Sequence, residues 1–105
     1  MKKMEFRLKN VRDCLLKHGK VYTVRSYYAW NGGEEVLVEV DGVGLALRKY
    51  VKEVTKKEDL LLFVALSGFE NVDDWWKAIE FWCAGKRKWL YFVFRKPRWY
   101  NNVGE

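Results

Sequence analysis

Hydrophobic and polar residues recur along the chain with two different spacings, which predict helices and strands. Apolar side chains at positions 11, 14 and 15, followed by His18, recur every three or four residues. This spacing predicts a short amphipathic helix from about Asn10 to His18, with His18 on its apolar side in a structural role. Asn10 is a suitable N-cap, and Gly19 is well placed to end the helix in a left-handed conformation.

Strict alternation predicts strands in the next part of the chain. The first strand is Lys20–Arg25 and the second covers residues 36–40, with a glycine-rich loop at residues 29–33 between them. Asp41-Gly42 then predicts a hairpin that returns through Val43–Val54. Gly44 inside the returning strand indicates a bulge or a close approach of another part of the backbone.

The chain changes character at Lys56. A mostly apolar helix is predicted from Glu58 to Leu66, and a second helix follows with Asn71 as its N-cap and Gly85 at its end. The apolar stripe of the second helix consists of Trp75, Ile79 and the pair Trp82 and Cys83. The last strand, Trp89–Phe94, is apolar on both faces, which is typical of a strand buried inside a sheet. Three tryptophans are expected in the core: Trp75, Trp82 and Trp89.

The order of these elements predicts one α+β domain with mostly antiparallel strands and helices gathered at one side of the sheet. A length of 105 residues, half of them hydrophobic, suffices for one compact core without disulfides or a structural metal. Cys14 and Cys83 belong to no paired motif, so we expect free thiols in a reducing, cytoplasmic compartment. A single histidine argues against a zinc site, and the sequence lacks the pattern of a signal peptide or a membrane span.

Basic residues are concentrated at the two ends of the chain. The net charge of +6 divides into +6 for residues 1–30, −5 for residues 31–85 and +5 for residues 86–105. If the fold brings the ends together, one face becomes strongly positive, as in proteins that bind a polyanion. A well-charged surface of the kind found in heat-adapted proteins explains the same composition equally well.

The segment Gly19–Arg25 carries the most suggestive chemistry, since the chain has no standard catalytic signature. We expect it to bring Lys20, Thr23 and Arg25 close together, with Thr23 and Arg25 on one strand face. Lysine and arginine bind phosphate or carbonyl oxygens, and a threonine hydroxyl both donates and accepts hydrogen bonds. An ordinary strand with charged ends has the same pattern, and the pattern alone favours that interpretation.

The run His18–Arg25 resembles the signature of the ASCH domain family, which reads G-(K/R)-K-T-x-T-x-R. Later elements are similar to that family as well, because Ser67-Gly68-Phe69 matches its Gly-Phe turn and Trp89–Phe94 matches its closing strand. The resemblance covers about residues 4–96. It implies a PUA-like, mostly antiparallel β-barrel with flanking helices in residues 1–97, followed by a basic and aromatic tail in residues 98–105.

The resemblance also implies a function linked to RNA. The family is associated with RNA binding, one bacterial branch hydrolyses N4-acetylcytidine, and other relatives cleave RNA. In the hydrolase branch a Lys and a Thr of the motif act with a Glu, and Lys20 and Thr23 match the first two positions. Ser67 stands where the family often has an acidic residue, which leaves Glu70 as the candidate carboxylate. Because a nucleophile needs such a group for its activation, we expect binding rather than catalysis.

We therefore expect a monomeric module that binds RNA or a modified nucleotide without a cofactor, a metal or a membrane. Lys20 and Arg25 are expected to hold phosphate or a base carbonyl, Thr23 to contact the base edge, and Trp30 to stack on a base. Basic and aromatic residues nearer the C-terminus are expected to extend this surface: Lys86, Arg87, Lys88, Arg98 and Trp99.

Two alternatives stay open. The first is an enzyme, either an amidohydrolase acting on N4-acetylcytidine-type nucleosides or a ribonuclease, with Lys20, Thr23 and Glu70 as its catalytic set. The second is a protein-interaction module that uses the acidic middle of the chain and exposed tryptophans.

Overall fold

Two α-helices and five strands follow one another in a computed structural model of the protein, which describes residues 2–30 and 32–95. The strands are β1 (Lys2–Met4), β2 (Lys20–Arg25), β3 (Val36–Val40), β4 (Gly44–Val54) and β5 (Lys88–Arg95). The helices are α1 (Lys9–His18) and α2 (Val72–Cys83), and two short 3-10 helices, Lys57–Leu60 and Val64–Leu66, lie between β4 and α2. These elements form one α+β domain, which confirms the predicted class. Neither α-helix of this described part combines the length and the apolar content that crossing a bilayer requires.

The strands form a mixed sheet in the order β1-β3-β4-β5-β2. β1 runs parallel to β3, and the other neighbouring strands are antiparallel, as predicted for most of the sheet. β5 lies between β4 and β2, and Leu90 and Tyr91 are both completely buried although they point to opposite faces. The prediction of a closing strand covered on both sides is therefore confirmed. β1 escapes prediction because Lys2-Lys3-Met4 carries no alternating apolar pattern.

The sheet is open, so the predicted barrel is not closed in the described part of the chain. β1 and β2 are its edge strands, and no backbone pairing joins them there. A side chain spans the gap instead, because Arg25 at the end of β2 donates from Nη1 to the carbonyl oxygen of Glu5 over 2.8 Å. The guanidinium carbon of Arg25 also lies 4.7 Å from the centroid of the Phe6 ring. β1 ends at Met4, where the chain leaves the sheet towards α1, and this short strand forms no ladder with β2.

The two α-helices cover opposite faces of the sheet, which corrects the predicted arrangement at one side. The buried cluster under α1 comprises Met4, Phe6, Val11, Cys14, Leu15, Val21, Val38, Val40, Ala46 and Val93. The buried cluster against α2 comprises Val54, Leu60, Trp75, Ile79, Cys83 and Leu90. Val21 belongs to the first cluster while Tyr22 and Val24 pack against the second, which confirms the predicted alternation of β2. A strand such as β5, apolar on both faces, needs cover on both sides.

The ends of α1 follow the predicted signals only in part. Gly19 has φ 74°, and its N–H bonds back to the last turn of the helix, as predicted. At the other end Leu8 is the N-cap, without a side-chain hydrogen bond. Asn10 is not the cap, because its Nδ2 donates to the carbonyl oxygen of Gly68 over 3.0 Å. His18 is exposed, so its predicted place on the apolar side is wrong. The buried residues of the helix lie one and two turns earlier and are Val11, Cys14 and Leu15.

The segment predicted as a helix over residues 58–66 forms two short 3-10 helices instead. The carboxylate of Asp59 accepts hydrogen bonds from the backbone N–H groups of Thr55 and Lys56, over 2.9 and 3.2 Å. Leu60 is buried while Leu62 is almost fully exposed, so the apolar run does not present one continuous face to the core. Side-chain hydrogen bonds and tertiary packing here override the apolar pattern.

The start of α2 and its end agree with the prediction. Asn71 caps the helix by accepting a hydrogen bond from the N–H of Asp74 over 2.8 Å. The helix ends through Ala84 and Gly85, which have φ of 48° and 80°. Gly85 therefore lies where the chain leaves the helix, because a left-handed conformation favours glycine.

The predicted hairpin between β3 and β4 is also present. Val40 and Gly44 face each other across it, on either side of the Asp41-Gly42 turn. The irregularity of β4 lies between Tyr50 and Lys52 rather than at Gly44. Gly44 has φ 114° and serves the turn of the chain into the strand.

Replacement of Gly68 by alanine should destabilise the fold. A Cβ atom at this position lies 2.6 Å from the carbonyl oxygen of Asn10, which is backbone and cannot rotate away. We expect Gly68→Ala to lower the free energy of unfolding by about 3 kcal/mol or more in urea titrations. Gly85→Ala is the matched control, because Gly85 also has a positive φ but nothing lies within 4 Å of its added Cβ. The control should lose only about 1–2 kcal/mol, and equal losses for the two variants would contradict the packing argument.

Candidate functional site

A cleft with a cavity of about 280 Å³ lies beside the edge strand β2, between the two α-helices. Its wall is mostly apolar and aromatic, and the contributing residues include Phe6, Leu8, Val11, Phe69, Trp75, Ile79 and Trp82. Two polar side chains of β2, Thr23 and Arg25, also line it. This cleft therefore combines flat apolar surfaces with a small number of hydrogen-bonding groups, which is typical of a ligand pocket.

Arg25 has one buried side-chain donor without an acceptor in the described part of the chain. Nη1 donates to the carbonyl oxygen of Glu5, but Nε is buried and has no acceptor among the described residues. Burial lowers the pKa of the Arg25 guanidinium, and the charge of Arg48 lowers it further. Because a buried donor without an acceptor costs about 1–3 kcal/mol, this arginine is held in place at the expense of stability.

Thr23 lies two residues before Arg25 and shares its strand face, as predicted. Its side chain is buried, with 7% exposure, and it lines the same cleft. Its hydroxyl can donate and accept, so Thr23 and Arg25 together present complementary hydrogen-bonding groups to the cleft.

A second depression opens on the other side of Arg25. Four cationic side chains line it, namely Lys2, Lys3, Arg25 and Arg48, together with the carboxylate residue Glu5. Arg48 is only 4% exposed. Neither arginine forms an ion pair with a carboxylate of residues 2–30 and 32–95. Arg25 therefore lies where the depression and the cleft meet, next to other cationic side chains.

Tyr91 shapes the loop that borders this depression. Its hydroxyl donates to the carbonyl oxygen of Tyr27 and accepts from the N–H of Ala29, both over 2.7 Å. The Tyr27 ring lies 5.4 Å from the Tyr91 ring, and the Tyr28 ring lies 5.3 Å from that of Tyr50. Burial raises the pKa of Tyr91 to about 12, so the hydroxyl keeps its proton and its donor role at neutral pH. These bonds fix the path of the chain from Tyr27 to Ala29.

Lys20 lies apart from the other two residues of the motif. It pairs with Phe94 at the start of β2, whereas Arg25 pairs with Trp89 at its end. Five residues of strand separate them by roughly 17 Å. Alternation also directs Lys20 to the face opposite Thr23, and Lys20 lines neither the cleft nor the depression. The structure therefore brings Thr23 and Arg25 together and leaves Lys20 outside, in contrast to the expectation that all three lie close together.

The residues around the Gly-Phe turn do not supply a carboxylate to the cleft. Ser67 is completely buried, and its Oγ donates to the carbonyl oxygen of Val64 over 2.7 Å. The same Oγ accepts from the N–H of Phe69 over 3.1 Å, so Ser67 holds the turn. Glu70 is exposed and lines neither the cleft nor the depression.

The predicted basic residues before β5 make contacts of their own. Arg87 forms a two-pronged ion pair with Glu53, with Nε–Oε2 and Nη2–Oε1 distances of 2.8 and 3.0 Å. The Arg87 hydrogen bonds lower the pKa of the Glu53 carboxyl. Lys88 donates from Nζ to the carbonyl oxygen of Lys86 over 3.1 Å. Arg87 is therefore already occupied by a carboxylate, unlike Arg25 and Arg48.

The tryptophans divide between core and surface. Trp75 is buried as predicted, and Trp89 is half-buried. Trp82 is 47% exposed, so its predicted place in the core is wrong; it lies at the cleft, 5.6 Å from the guanidinium carbon of Arg7. Trp30 is 56% exposed at the end of the loop that Tyr91 holds. Arg98 and Trp99, with the rest of the predicted tail, lie outside the described residues.

Sequence reasoning missed Arg48, Phe6 and Tyr91 at this site. A signal for Arg48 exists, because strand alternation puts it on one face between Ala46 and Tyr50, where a charged side chain is unexpected. No comparable signal exists for Phe6, which follows the short strand β1.

The chain matches no protein-family model, no curated protein and no solved structure. The resemblance to the ASCH family, carried by residues 18–25 and by the Gly-Phe turn, therefore stays a prediction. Within residues 2–30 and 32–95, no group of three or more His, Cys, Asp or Glu side chains is arranged to hold a metal ion.

Replacement of Tyr91 by phenylalanine should loosen the loop. It leaves the N–H of Ala29 and the carbonyl oxygen of Tyr27 without their partner, so we expect a loss of about 1–3 kcal/mol in the free energy of unfolding and faster hydrogen exchange at Ala29. The wild type should also lose stability as the pH rises from about 10 to about 12, because the folded state retains a proton that the unfolded state releases. Tyr91→Phe should weaken that pH dependence.

Tyr22→Phe is the matched control for this prediction. The Tyr22 ring packs against Phe63 and Phe92, with centroids 4.9 and 4.8 Å away, on the other face of the sheet. Its loss of a hydroxyl should leave exchange at Ala29 unchanged. Unaltered exchange in Tyr91→Phe as well would show that the hydroxyl does not hold the loop.

Proposed function

We propose that the protein binds RNA or a nucleotide in the cleft beside β2, with Thr23 and Arg25 contacting the ligand. The observation that carries this proposal is the guanidinium of Arg25, which lies at the wall of an aromatic-lined cleft and forms no ion pair with a carboxylate of the described residues. A base carbonyl or a phosphate oxygen is the kind of acceptor that such a guanidinium binds. The Thr23 hydroxyl supplies a second contact that can either donate or accept.

The apolar part of the cleft suits a flat ring. The exposed ring at its wall is Trp82, beside the buried rings of Phe6 and Trp75, and exposed aromatic side chains stack on unpaired bases of any sequence. Trp30, exposed at the end of the loop that Tyr91 holds, offers a further ring for a neighbouring base. We therefore favour single-stranded RNA or a nucleotide over double-stranded nucleic acid, whose bases are already stacked.

The distribution of charge supports an anionic ligand. β2, from the basic N-terminal part of the chain, pairs with β5, from the basic C-terminal part. The fold therefore joins the two segments that carry most of the positive charge. Arg25 and Arg48 add positive charge without carboxylate partners in the described residues at the cleft and the depression. Such a field attracts a polyanion and speeds its association.

The hydrolytic alternative has less geometric support. Lys20 and Thr23 point to opposite faces of β2, and Glu70 does not line the cleft. A catalytic acid and its nucleophile need to lie within hydrogen-bond reach of one substrate. Incubation with N4-acetylcytidine and with RNA, followed by chromatography, tests this alternative directly.

We also propose that the protein is related to PUA-like folds and that it is cytoplasmic. The ASCH resemblance implies a PUA-like barrel, and an open sheet whose edges are bridged by Arg25 would be a barrel of that kind left incomplete between β1 and β2. Cys14 and Cys83 are free and buried, and burial raises the pKa of both thiols. Unreactive thiols of this kind fit a cytoplasmic protein.

Arg25→Gln should weaken binding of a short, fluorescently labelled single-stranded RNA by about tenfold or more, measured by anisotropy. The slope of log affinity against log salt should also fall by about 0.7 if Arg25 contacts one phosphate. Lys20→Gln removes the same charge from the same strand but outside the cleft, so it should change affinity less than about twofold. Thermal unfolding of each variant establishes that it is folded.

The pair of variants also decides between the structure-based site and the motif. Equal losses for Lys20→Gln and Arg25→Gln would indicate a general charge effect and contradict the cleft assignment. Binding that fails in the wild type, over a panel of RNA sequences at low salt, would contradict the proposed function itself.

A further inference from the structure

The depression on the far side of Arg25 contains a buried arginine that the cleft does not use. Arg48 lies on β4 and is 4% exposed. Its Nη1 lies 3.5 Å from the hydroxyl of Tyr27, at the outer limit for a hydrogen bond. Its guanidinium carbon lies 5.7 Å from the Tyr27 ring centroid and 5.5 Å from that of Tyr91. Two aromatic faces and one long contact are the interactions that hold this charge in the described part of the chain.

These contacts do not compensate for the burial of a cation. Removing an arginine from water is far more unfavourable than a pair of contacts with tyrosine rings is favourable. Buried charges in proteins are ordinarily paired. Arg48 forms no ion pair within residues 2–30 and 32–95, whereas Arg87, which is more exposed, has Glu53. An anion from outside these residues would therefore pair with a charge that has no carboxylate partner among them.

The other residues of the depression define the anion. Arg25 and Lys2 face it without an ion pair among the described residues, and Lys3 has only a long contact of 3.9 Å with Glu39. The one carboxylate residue on its wall, Glu5, lies 3.7 Å from Arg7. Several cations around one depression match the multiple oxygens and double charge of a phosphate better than a single carboxylate.

We propose that Arg48, with Arg25 and Lys2, forms a phosphate-binding site next to the cleft. The site rests on the proposed function in one respect, since a phosphate here belongs to the nucleotide whose base enters the cleft on the other side of Arg25. Arg25 lines both spaces, as Glu5 and Tyr27 do, and of these three residues it carries the positive charge. Free phosphate satisfies the same chemistry, so the experiment has a separate arm for each source.

The first arm uses inorganic phosphate as the probe. Phosphate should raise the unfolding temperature of the wild type by about 4 °C or more at saturation, relative to potassium chloride at equal ionic strength. Arg48→Met should abolish this shift. Lys49→Met is the matched control, because Lys49 is the next residue of β4 and is exposed on the opposite face of the sheet, so it should retain the shift. No shift in the wild type, or an equal shift in Arg48→Met, overturns the site.

The second arm uses the short single-stranded RNA. If the phosphate belongs to the RNA, Arg48→Met should weaken RNA binding by about tenfold or more, and Lys49→Met should leave it within about twofold. RNA binding that is unchanged in Arg48→Met, together with no effect of free phosphate, overturns this site and leaves the proposed function standing. A phosphate shift that needs Arg48, in a protein that binds neither RNA nor nucleotides, supports the site and contradicts the proposed function.

A measurement on the wild type covers the case in which Arg48→Met does not fold. The side-chain Nε–Hε signals of Arg25 and Arg48 are observable by NMR, and both should shift on addition of phosphate but not of chloride. Signals that stay in place overturn the site. Arg48→Lys provides a further check, since it retains the charge and loses the planar fork, and it should bind phosphate more weakly than the wild type.

Discussion

The burial of Arg25 and Arg48 without carboxylate partners in the described residues is the constraint on which the structure of this protein depends. Arg25 spans the open side of the sheet, because its guanidinium donates to the carbonyl of Glu5 and covers the Phe6 ring. The same side chain separates the cleft from the depression and lines both. A hydrophobic residue in its place could pack against Phe6, but it would leave the carbonyl of Glu5 without this donor. The fold and the proposed binding site therefore use one residue for two purposes.

Tyr91 and the loop that it holds determine the surroundings of Arg48. Tyr91 is completely buried in the interior strand β5 and fixes the loop from Tyr27 to Ala29 through two hydrogen bonds. That loop places the Tyr27 ring beside Arg48. The strand β5 is covered on both faces, so the Tyr91 hydroxyl has a fixed position. The positions of the Tyr27 and Arg48 side chains follow from that of Tyr91. A rigid arrangement of unpaired cations binds an anion with little reorganisation.

The sequence predicts the local elements well and the long-range arrangement less well. Signals of a few residues identify β2, the Asp41-Gly42 hairpin and the Asn71 cap, since each depends on neighbouring residues alone. The open side of the sheet and the contacts around Arg48 depend on distant segments. Strand alternation puts Arg48 on one face with Ala46 and Tyr50, but no local pattern places it beside Tyr27. The separation of Lys20 from Thr23 was accessible, because strand alternation alone directs them to opposite faces. The prediction that Thr23 and Arg25 share one strand face is confirmed. The prediction that Lys20 lies close to them is wrong.

The central claim is that one ligand occupies both sides of Arg25, with its base in the cleft and its phosphate on Arg48. A crystal structure of the protein with bound uridine 5′-monophosphate tests it most directly. We expect the base between the aromatic side chains of the cleft, within hydrogen-bond distance of Thr23, and phosphate oxygens on the guanidinium groups of Arg25 and Arg48. A nucleotide bound beside Lys20, or one whose phosphate points away from Arg48, would contradict the account.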